Sequence, residues 1–594
     1  METLIAYTFA QDARARAAAG CARVAAYYGD LWQHTADHHG YDSQSVGLHV
    51  WDRPDRTCRW PSWQDAGDLR VASVHAPLGY QRVIGDVAPY DAPALLAKAV
   101  RRAPGDFLEL APPFTMAVLD PEAQRLDLFT DSVGVGRLFQ LRVPDGWVWT
   151  NRPVAALLFA GVPAAAASRG WTFAAACGWF MDDSTPYEGV LAVPGATHIV
   201  ADGYRQQRAV SRIETTSVWS TDKTDTASAA EETAAALQDV ARSVAALWPG
   251  QPAVDLSGGR DSRVVAGAFL AAGVDVKLNS CDAVPGELQV AESLVAHLEQ
   301  PVELVVSRRT ITQTRPQPLE MINRALSWHR YAEGLRPSSY LFHTPPRTQD
   351  DLTINGVGGE VAHGYFYPHD VQQLDALQLP RKLRAFSNHL QTRLVPATAG
   401  PTEEARAAVA QQIEHVLRTA VHGGIENATM LDYFFVDERL RRWSTAGERT
   451  GIVSPLLIPS FVRAAFALDP AQRVGNVLHQ ELVRRLVPEW TDVPYFTPNP
   501  MVSARRTPKV RCLADAADRD QIEQLLEHVD GFEPLDTLWA ASAVGASSAT
   551  GEATLRQALW RATFDEHLAE VNRYITPAPN GRLRRAYRKL QRRA

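Results

Sequence analysis

Cysteine is scarce in this chain of 594 residues, and no two of its cysteines are spaced as C-x-x-C. Disulfide frameworks and zinc modules both rely on cysteines paired at short intervals, so this spacing favours neither. We therefore expect a reducing compartment. The five cysteines are Cys21, Cys58, Cys177, Cys281 and Cys512.

Long apolar runs and a strong net charge are also missing. No stretch approaches the ~18 uncharged apolar residues of a transmembrane helix, and the first apolar run lacks a basic flank and a cleavage site. The net charge of −7 argues against a general nucleic-acid-binding protein. Residues 582–593 are strongly basic, which a solvated final helix would explain. The sequence predicts a cytoplasmic protein without nucleic-acid or membrane partners.

The first 215 residues contain many short strand-like runs. They alternate apolar with polar residues or end at turn-forming Asp, Pro and Gly, as strands of an antiparallel sheet do. We expect an α+β domain at 1–215 and a linker, rich in Thr, Ser and Asp, at 216–228. The runs lie at 4–9, 46–51, 69–74, 114–120 and 147–150.

Residues 229–594 have a different pattern, in which strands alternate with helices of 10 to 13 residues. Such alternation predicts βαβ units and a parallel sheet. Beyond residue 401 the pattern is mostly helical. Strands are expected at 252–256, 274–279 and 302–306, and helices at 229–248, 263–272 and 287–299.

The string Ser-Gly-Gly-Arg-Asp-Ser at 257–262 separates a predicted strand from a predicted helix. Gly258 and Gly259 let the backbone approach an anion closely. Ser257 and Ser262 offer hydroxyl donors, and the start of the helix contributes a partial positive charge. The loop therefore predicts a phosphate site.

Asp261 does not suit a phosphate unless a divalent cation lies between them, and Mg²⁺ is the cation that carboxylates and phosphates share. No lysine follows the glycines, so transfer of a γ-phosphate is not indicated. A plain strand-to-helix turn remains the simpler alternative.

Residues 256–262 resemble the pyrophosphate loop of the asparagine synthetase superfamily, which includes β-lactam synthetases and lasso peptide cyclases. The block Asn-Gly-Val-Gly-Gly-Glu at 355–360 is similar to that superfamily's G-x-G-x-D element, whose acidic residue is a second magnesium ligand. The resemblance implies ATP and Mg²⁺ as cofactors, with Asp261 and Glu360 as metal ligands and catalytic residues. The nucleotide site that it implies consists of Asp255, Ser257, Gly258, Gly259, Asp261, Ser262 and Gly356.

The resemblance extends over nearly the whole chain. Turns at 131–138 and 189–195 are similar to turns of the superfamily's glutaminase domain. The implied architecture is an N-terminal Ntn-hydrolase-like sandwich at 1–215. An ATP-pyrophosphatase domain of the adenine nucleotide α-hydrolase type, with a helical C-terminal part, would follow at 229–594.

Three features depart from the family. A glutamine-using member needs a cysteine directly after the initiator methionine, but this chain has Glu2, and Cys21 is expected to be a small buried residue. We therefore expect the N-terminal domain to be an inactive glutaminase. The amine nucleophile should then belong to a substrate. Val357 also stands where relatives carry a base-forming tyrosine or a glutamate. The expected catalytic lysine is missing from its usual place, and Lys509 is the nearest replacement.

The sequence does not decide the roles of other side chains near these motifs. Arg260 and Arg263 flank the glycine loop and are candidates for phosphate binding. The run at 363–369, which includes His363 and His369, would line an acceptor pocket or simply pack in the core or at its rim.

The resulting hypothesis is a ligase that adenylates a substrate carboxylate and joins it to a substrate amine, in its sharpest form a macrolactam synthetase for a lasso-type peptide. A leader-peptide protease and a recognition protein would be its partners. Alternatives are a ligase for a small amino-acid-derived substrate, a tRNA-modifying adenylating enzyme and a nucleotide-binding scaffold without catalysis.

Overall fold

The computed structural model describes most of the chain, and its secondary structure falls into a strand-rich first part and a helix-rich second part. The described residues are 2–33, 36–53, 56–203, 205, 207–212, 219, 225–282, 284, 286–307, 318–338, 340, 352–395, 400–443, 451–497, 519–526, 529, 531–543 and 548–576.

Two antiparallel sheets of six strands each form the first part. The strands are β1 (Thr3–Phe9), β2 (Asp37–Asp42), β3 (Val46–Asp52), β4 (Trp63–Ala66), β5 (Leu69–Ser73), β6 (Thr115–Asp120), β7 (Arg125–Thr130), β8 (Phe139–Val143), β9 (Gly146–Thr150), β10 (Val190–Ala192), β11 (Thr197–Asp202) and β12 (Gln207–Arg212). Their orders in the two sheets are β10-β8-β9-β1-β3-β2 and β12-β11-β7-β6-β5-β4.

The helices of the described residues mostly follow the first part. They are α1 (Ala13–Trp32), α2 (Gln81–Ile84), α3 (Ala92–Arg102), α4 (Pro153–Ala160), α5 (Ser168–Cys177), α6 (Thr226–Leu247), α7 (Arg260–Ala271), α8 (Glu287–Ala296), α9 (Pro318–Ala332), α10 (Val371–Asp375), α11 (Leu379–Leu394), α12 (Glu403–His422), α13 (Thr429–Phe434), α14 (Arg441–Trp443), α15 (Pro459–Ala467), α16 (Pro470–Val474), α17 (Val477–Leu486), α18 (Arg519–Leu526), α19 (Leu535–Ala543) and α20 (Ser548–Ile575).

The two antiparallel sheets pack face to face between layers of helices. Successive side chains of β1 point to opposite faces, so Leu4 joins the core between the sheets while Ile5 joins the core under α1 and α4. The outer face of the second sheet, with Val71, packs against Leu96 of α3. The predicted strands of this part are confirmed to within one or two residues.

A parallel sheet of five strands lies in the second part, in the order β15-β14-β13-β16-β17. The predicted parallel sheet and helical C-terminal part are confirmed. The strands are β13 (Ala253–Asp255), β14 (Lys277–Cys281), β15 (Leu304–Ser307), β16 (Thr353–Ile354) and β17 (Ile452–Val453).

Element boundaries depart from the predictions where local turns intervene. Strand β14 begins three residues later than 274, because after the turn at Gly273 (φ of 70°) the N–H of Val274 still donates to Phe269 O of the preceding helix at 3.1 Å. Helix α6 begins at Thr226, before the expected 229, because the carboxylate of Asp225 accepts the N–H of Ser228 at 3.3 Å. The domain division remains a prediction, since residues 213–218 and 220–224 lie outside the described residues.

In the described ranges, no helix is both long and apolar enough to cross a membrane.

A buried ion pair joins the two parts of the chain. Glu333, at the end of α9, lies 2.5 Å from the guanidinium of Arg152, accepts the Tyr28 hydroxyl at 2.7 Å and accepts the N–H of Val154 at 2.8 Å. Both charged side chains are almost fully buried. Removing one partner would therefore leave an uncompensated charge in a medium of low polarity.

We predict that Glu333→Ala lowers the free energy of unfolding by about 3 to 5 kcal/mol, because it leaves the buried guanidinium of Arg152 without its counter-ion. Urea unfolding followed by circular dichroism measures this. The matched control is Glu414→Ala, which removes the exposed pair with Arg418 and should change stability by less than about 0.5 kcal/mol. Equal shifts in the two variants would contradict the prediction.

Candidate functional site

The order of the parallel sheet defines a switch point. From β13 the chain adds β14 and β15 on one side, whereas β16 and β17 lie on the other. Strands β13 and β16 pair in parallel, with Val254 opposite Ile354, so the loops that follow them leave at the same edge. Ligands of open α/β sheets bind at such a point, outside the carboxyl ends of the strands.

The glycine loop after β13 forms the first of these two turns. Helix α7 begins at Arg260, three residues before the predicted 263, so Asp261 and Ser262 belong to its first turn. The hydroxyls of Ser257 and Ser262 lie 3.0 Å apart, and Ser262 Oγ also accepts the N–H of Ser257 at 3.0 Å. The N–H of Gly259 donates to Ser257 Oγ at 3.1 Å. Both hydroxyls thus gather at the start of the helix.

The second glycine turn, at 355–360, packs directly on Asp261. A Cβ atom at Gly356 would lie 2.8 Å from Asp261 Cβ, and one at Gly359 would lie 2.2 Å from Asp261 Oδ1. No real Cβ tolerates such distances. The glycines therefore allow the two turns to touch, although Gly359 lies 98 residues after Asp261 in the sequence.

This contact places two carboxylates in one poorly solvated region. Burial raises the pKa of Glu360, and the charge of Asp261 raises it further. The N–H of Gly358 donates to Glu360 Oε2 at 2.9 Å. Two carboxylates form the hard oxygen donor set that Mg²⁺ prefers, and a dication would offset their mutual repulsion. The donor set therefore fits the magnesium that the sequence implies.

Two histidines, which the sequence did not connect with this loop, surround Asp261. His479 Nε2 donates to Asp261 Oδ1 at 2.7 Å, and His363 Nε2 lies 3.8 Å from Asp261 Oδ2. Burial acts to raise the pKa of Asp261, but the interactions with these two histidines outweigh it and lower the pKa below its usual range. Asp261 is thus held ionised.

His479 lies on the buried face of α17 and is fully buried itself. In the sequence it is one polar residue within an apolar stripe, a pattern more typical of a packed core histidine than of a site residue. A single polar position among Leu478, Leu482 and Val483 was the only available signal.

Asp255 is the last residue of β13 and pairs in register with Asn279 of β14. The Asn279 amide donates to Asp255 Oδ1 at 3.0 Å. This bond fixes the carboxylate of Asp255 at the same carboxyl edge as the glycine loop.

Arg263 has a structural role. Its buried guanidinium donates to the carbonyl oxygens of Val493 at 2.6 Å and of Pro494 at 3.1 Å, and it stacks on Tyr495 with 4.4 Å to the ring centroid. The N–H of Phe496 then donates to Gly258 O at 2.8 Å. Arg263 therefore holds a chain segment over the glycine loop, and its phosphate-binding role is not supported.

Of the other predicted cations, Arg260 donates to Asn476 Oδ1. Lys509 lies outside the described residues, so its catalytic role stays a prediction.

The aromatic run at 363–369 is mainly packing. Phe366 is buried, and the Tyr367 hydroxyl donates to Asp432 Oδ2 at 2.6 Å. Arg473, fully buried, pairs with the same carboxylate. Only His363 of this run reaches the two glycine turns through an ion-pair contact among the described residues.

Directly before β1, Glu2 is buried and lies 3.3 Å from the Arg56 guanidinium. Burial raises the pKa of Glu2 to about 8. No thiol stands at this position.

The expectation of a buried Cys21 is wrong, because its thiol is only half-buried and faces His49.

Neither a protein-family model nor a curated protein matches this chain. Among solved structures, the chain is similar to the allosteric regulatory enzyme of purine biosynthesis, at 8% identity and a TM-score of 0.21, over 52% of this chain and 80% of that one. It is also similar to glutamine phosphoribosylpyrophosphate amidotransferase from B. subtilis, complexed with ADP and GMP, at 9% identity and a TM-score of 0.21, over 46% and 65%. These scores support no inference about the site.

We predict that Gly359→Ala lowers the free energy of unfolding by about 1 to 3 kcal/mol, because the added Cβ meets the Asp261 carboxylate. The midpoint of urea unfolding measures the change. Gly105→Ala is the control, since a Cβ there meets nothing within 4 Å. Equal midpoints for the two variants would show that the turns are not in close contact.

Proposed function

We propose that this protein is an ATP-dependent ligase that adenylates a substrate carboxylate and joins it to a substrate amine. The observation that carries the proposal is the contact of two glycine turns at the switch point, which brings Asp261 and Glu360 together. Asp261 and Glu360 would hold Mg²⁺, which when bound neutralises charge on the pyrophosphate of ATP.

The proposed chemistry has two steps. A carboxylate oxygen of the substrate attacks the α-phosphorus of ATP, so an acyl-adenylate forms and pyrophosphate leaves. The substrate amine then attacks the acyl carbon, AMP leaves and the nitrogen loses a proton. The amides and hydroxyls at the start of α7 are suited to receive the pyrophosphate, because a helix start attracts anions. His479 keeps Asp261 oriented and ionised.

We infer the source of the amine from the residue that directly precedes β1. A glutaminase of the Ntn type needs a nucleophile there, and the buried Glu2, paired with Arg56, offers none. The N-terminal layers are accordingly interpreted as an inactive Ntn-type domain, and the parallel sheet as an ATP-pyrophosphatase domain. The amine then belongs to the substrate, and the sharpest form of the proposal is macrolactam formation in a lasso-type peptide.

Two alternatives share the same site. One is a ligase for a small amino-acid-derived substrate, similar to β-lactam or asparagine synthetases. The other is a nucleotide-binding scaffold, which Val357 favours because its apolar side chain supplies no base at the position where relatives carry one.

We predict that Asp261→Asn reduces Mg²⁺-dependent ATP–pyrophosphate exchange by about 100- to 1,000-fold. The Mg²⁺ ion that Asp261 would hold stabilises the transition state by several kcal/mol. Exchange of labelled pyrophosphate into ATP is measured with a panel of short peptides as carboxylate substrates. Calorimetric titration with MgATP checks nucleotide binding separately.

The control is Asp275→Ala, which removes a carboxylate from the turn before β14, at the opposite edge of the sheet. Its exchange rate should equal that of the unmodified protein. Full exchange in Asp261→Asn would overturn the magnesium assignment, and MgATP binding without exchange for any carboxylate would favour the scaffold.

A further prediction concerns the amine. Glutamine should release no glutamate in the presence of the protein, because position 2 has no thiol. A peptide substrate should lose the mass of one water with its sequence unchanged, as cyclisation requires. Mass spectrometry of the products measures both, and glutamine-dependent amide formation would contradict the proposal.

A further inference from the structure

Three side chains of types that can ligate a metal converge on one face of the first antiparallel sheet, far in sequence from the glycine turns. Cys21 projects from α1, His38 from β2 and His49 from β3. Cys21 Sγ lies 3.7 Å from His49 Nδ1, and His38 Nε2 lies 3.2 Å from the same nitrogen. All three donor atoms lie within 4.8 Å of one another.

The two separations from His49 Nδ1 match the edges of a tetrahedral zinc site. With Zn–S bonds of about 2.3 Å and Zn–N bonds of about 2.0 to 2.1 Å, tetrahedral angles separate sulfur and nitrogen by about 3.6 Å and two nitrogens by about 3.4 Å. The observed values of 3.7 and 3.2 Å are close to both. One thiolate and two imidazoles are also ligand types that zinc prefers.

The groups around the cluster orient His49 as a ligand. His49 Nε2 donates to Asp42 Oδ1 at 2.9 Å, and the Tyr7 hydroxyl donates to the same oxygen at 2.7 Å. With its proton on Nε2, the ring presents the lone pair of Nδ1 to Cys21 and His38. A carboxylate behind a histidine is the arrangement that fixes the ring of a metal ligand.

Packing holds the imidazoles in place. Gly40 pairs with His49 across β2 and β3, and a Cβ there would lie 2.2 Å from His49 Nδ1. The His38 ring stacks on Trp51 with 4.4 Å between centroids. The two imidazole donors are therefore positioned by the sheet before any ion arrives.

A thiol, an imidazole and a carboxylate also resemble the triad of a cysteine nucleophile. That interpretation fits less well. Burial and the charge of Asp42 raise the pKa of Cys21 to about 12, whereas a nucleophilic thiol needs a lowered one. It also gives His38 no role.

We propose that Cys21, His38 and His49 bind a Zn²⁺ ion, with Asp42 orienting His49. His38 is exposed, so the fourth coordination position faces solvent on its side and is open to water or a small ligand. The ion ties α1 to the β2–β3 hairpin. Binding converts the Cys21 thiol to a thiolate and releases its proton to solvent.

The test uses the metal-free full chain titrated with Co²⁺ and then Zn²⁺. One equivalent of Co²⁺ should give a thiolate-to-cobalt charge-transfer band, and Zn²⁺ should remove it. This band reports only on a sulfur ligand, so Co²⁺ bound at Asp261 and Glu360 does not contribute. Cys21→Ser should abolish the band, and His38→Asn should weaken Co²⁺ binding at least 10-fold.

Matched controls come from neighbouring or equivalent side chains. His39→Asn changes the next residue of β2, whose ring stacks on Trp63 instead, and Cys281→Ser removes a half-buried thiol elsewhere. Both should retain the band. Asp42→Asn should weaken Co²⁺ binding about 10- to 100-fold without removing the band. Circular dichroism of each variant verifies folding.

Alkylation of the unmodified protein needs no variant. Zn²⁺ should protect Cys21 from iodoacetamide, as read by peptide mass mapping. The proposal is overturned if no charge-transfer band forms, if the band persists in Cys21→Ser, or if Cys21 is alkylated rapidly at neutral pH whether or not Zn²⁺ is present. The last result would instead identify a nucleophile. None of these readouts depends on the ligase proposal.

Discussion

The close contact between Asp261 and the second glycine turn is the constraint on which the candidate site depends. It requires strands β13 and β16 to be neighbours, with their turns at one edge of the sheet. It also requires that neither Gly356 nor Gly359 carry a side chain. The outcome is a pair of carboxylates that electrostatics alone would separate. His479 compensates on one side, by donating a hydrogen bond to Asp261 from a fully buried position.

The string from Ser257 to Ser262 lies between a strand and a helix, as its local sequence pattern predicted. The turn at 355–360 follows β16, and its glycines have a structural explanation in their close packing on Asp261. That these turns bind a nucleotide and Mg²⁺ stays a prediction. His479 was missed because it lies 218 residues from Asp261 in sequence and forms part of an apolar helix face. The phosphate-binding role suggested for Arg263 fails because the sequence does not show that two backbone carbonyls occupy its guanidinium.

The same limit explains the cluster of Cys21, His38 and His49. No spacing rule connects these positions, since the antiparallel register of β2 and β3 and the packing of α1 bring them together. The antiparallel strands themselves were predictable, because their alternation is local. The helix starts at Arg260 and Thr226 were not, because each depends on the turn that precedes it.

The attachment of residues 493–496 to the glycine loop uses main-chain atoms for its hydrogen bonds. Arg263 binds the carbonyl oxygens of Val493 and Pro494, and Gly258 O accepts the N–H of Phe496. Every amino acid has a carbonyl oxygen, so these hydrogen bonds do not themselves depend on which side chains stand at 493 and 494, although the side chain of Val493 is buried in the core. The length of this segment is much less free, because one inserted residue would move the carbonyls out of reach. Insertions or deletions between 493 and 496 are therefore expected to release this segment from the glycine loop.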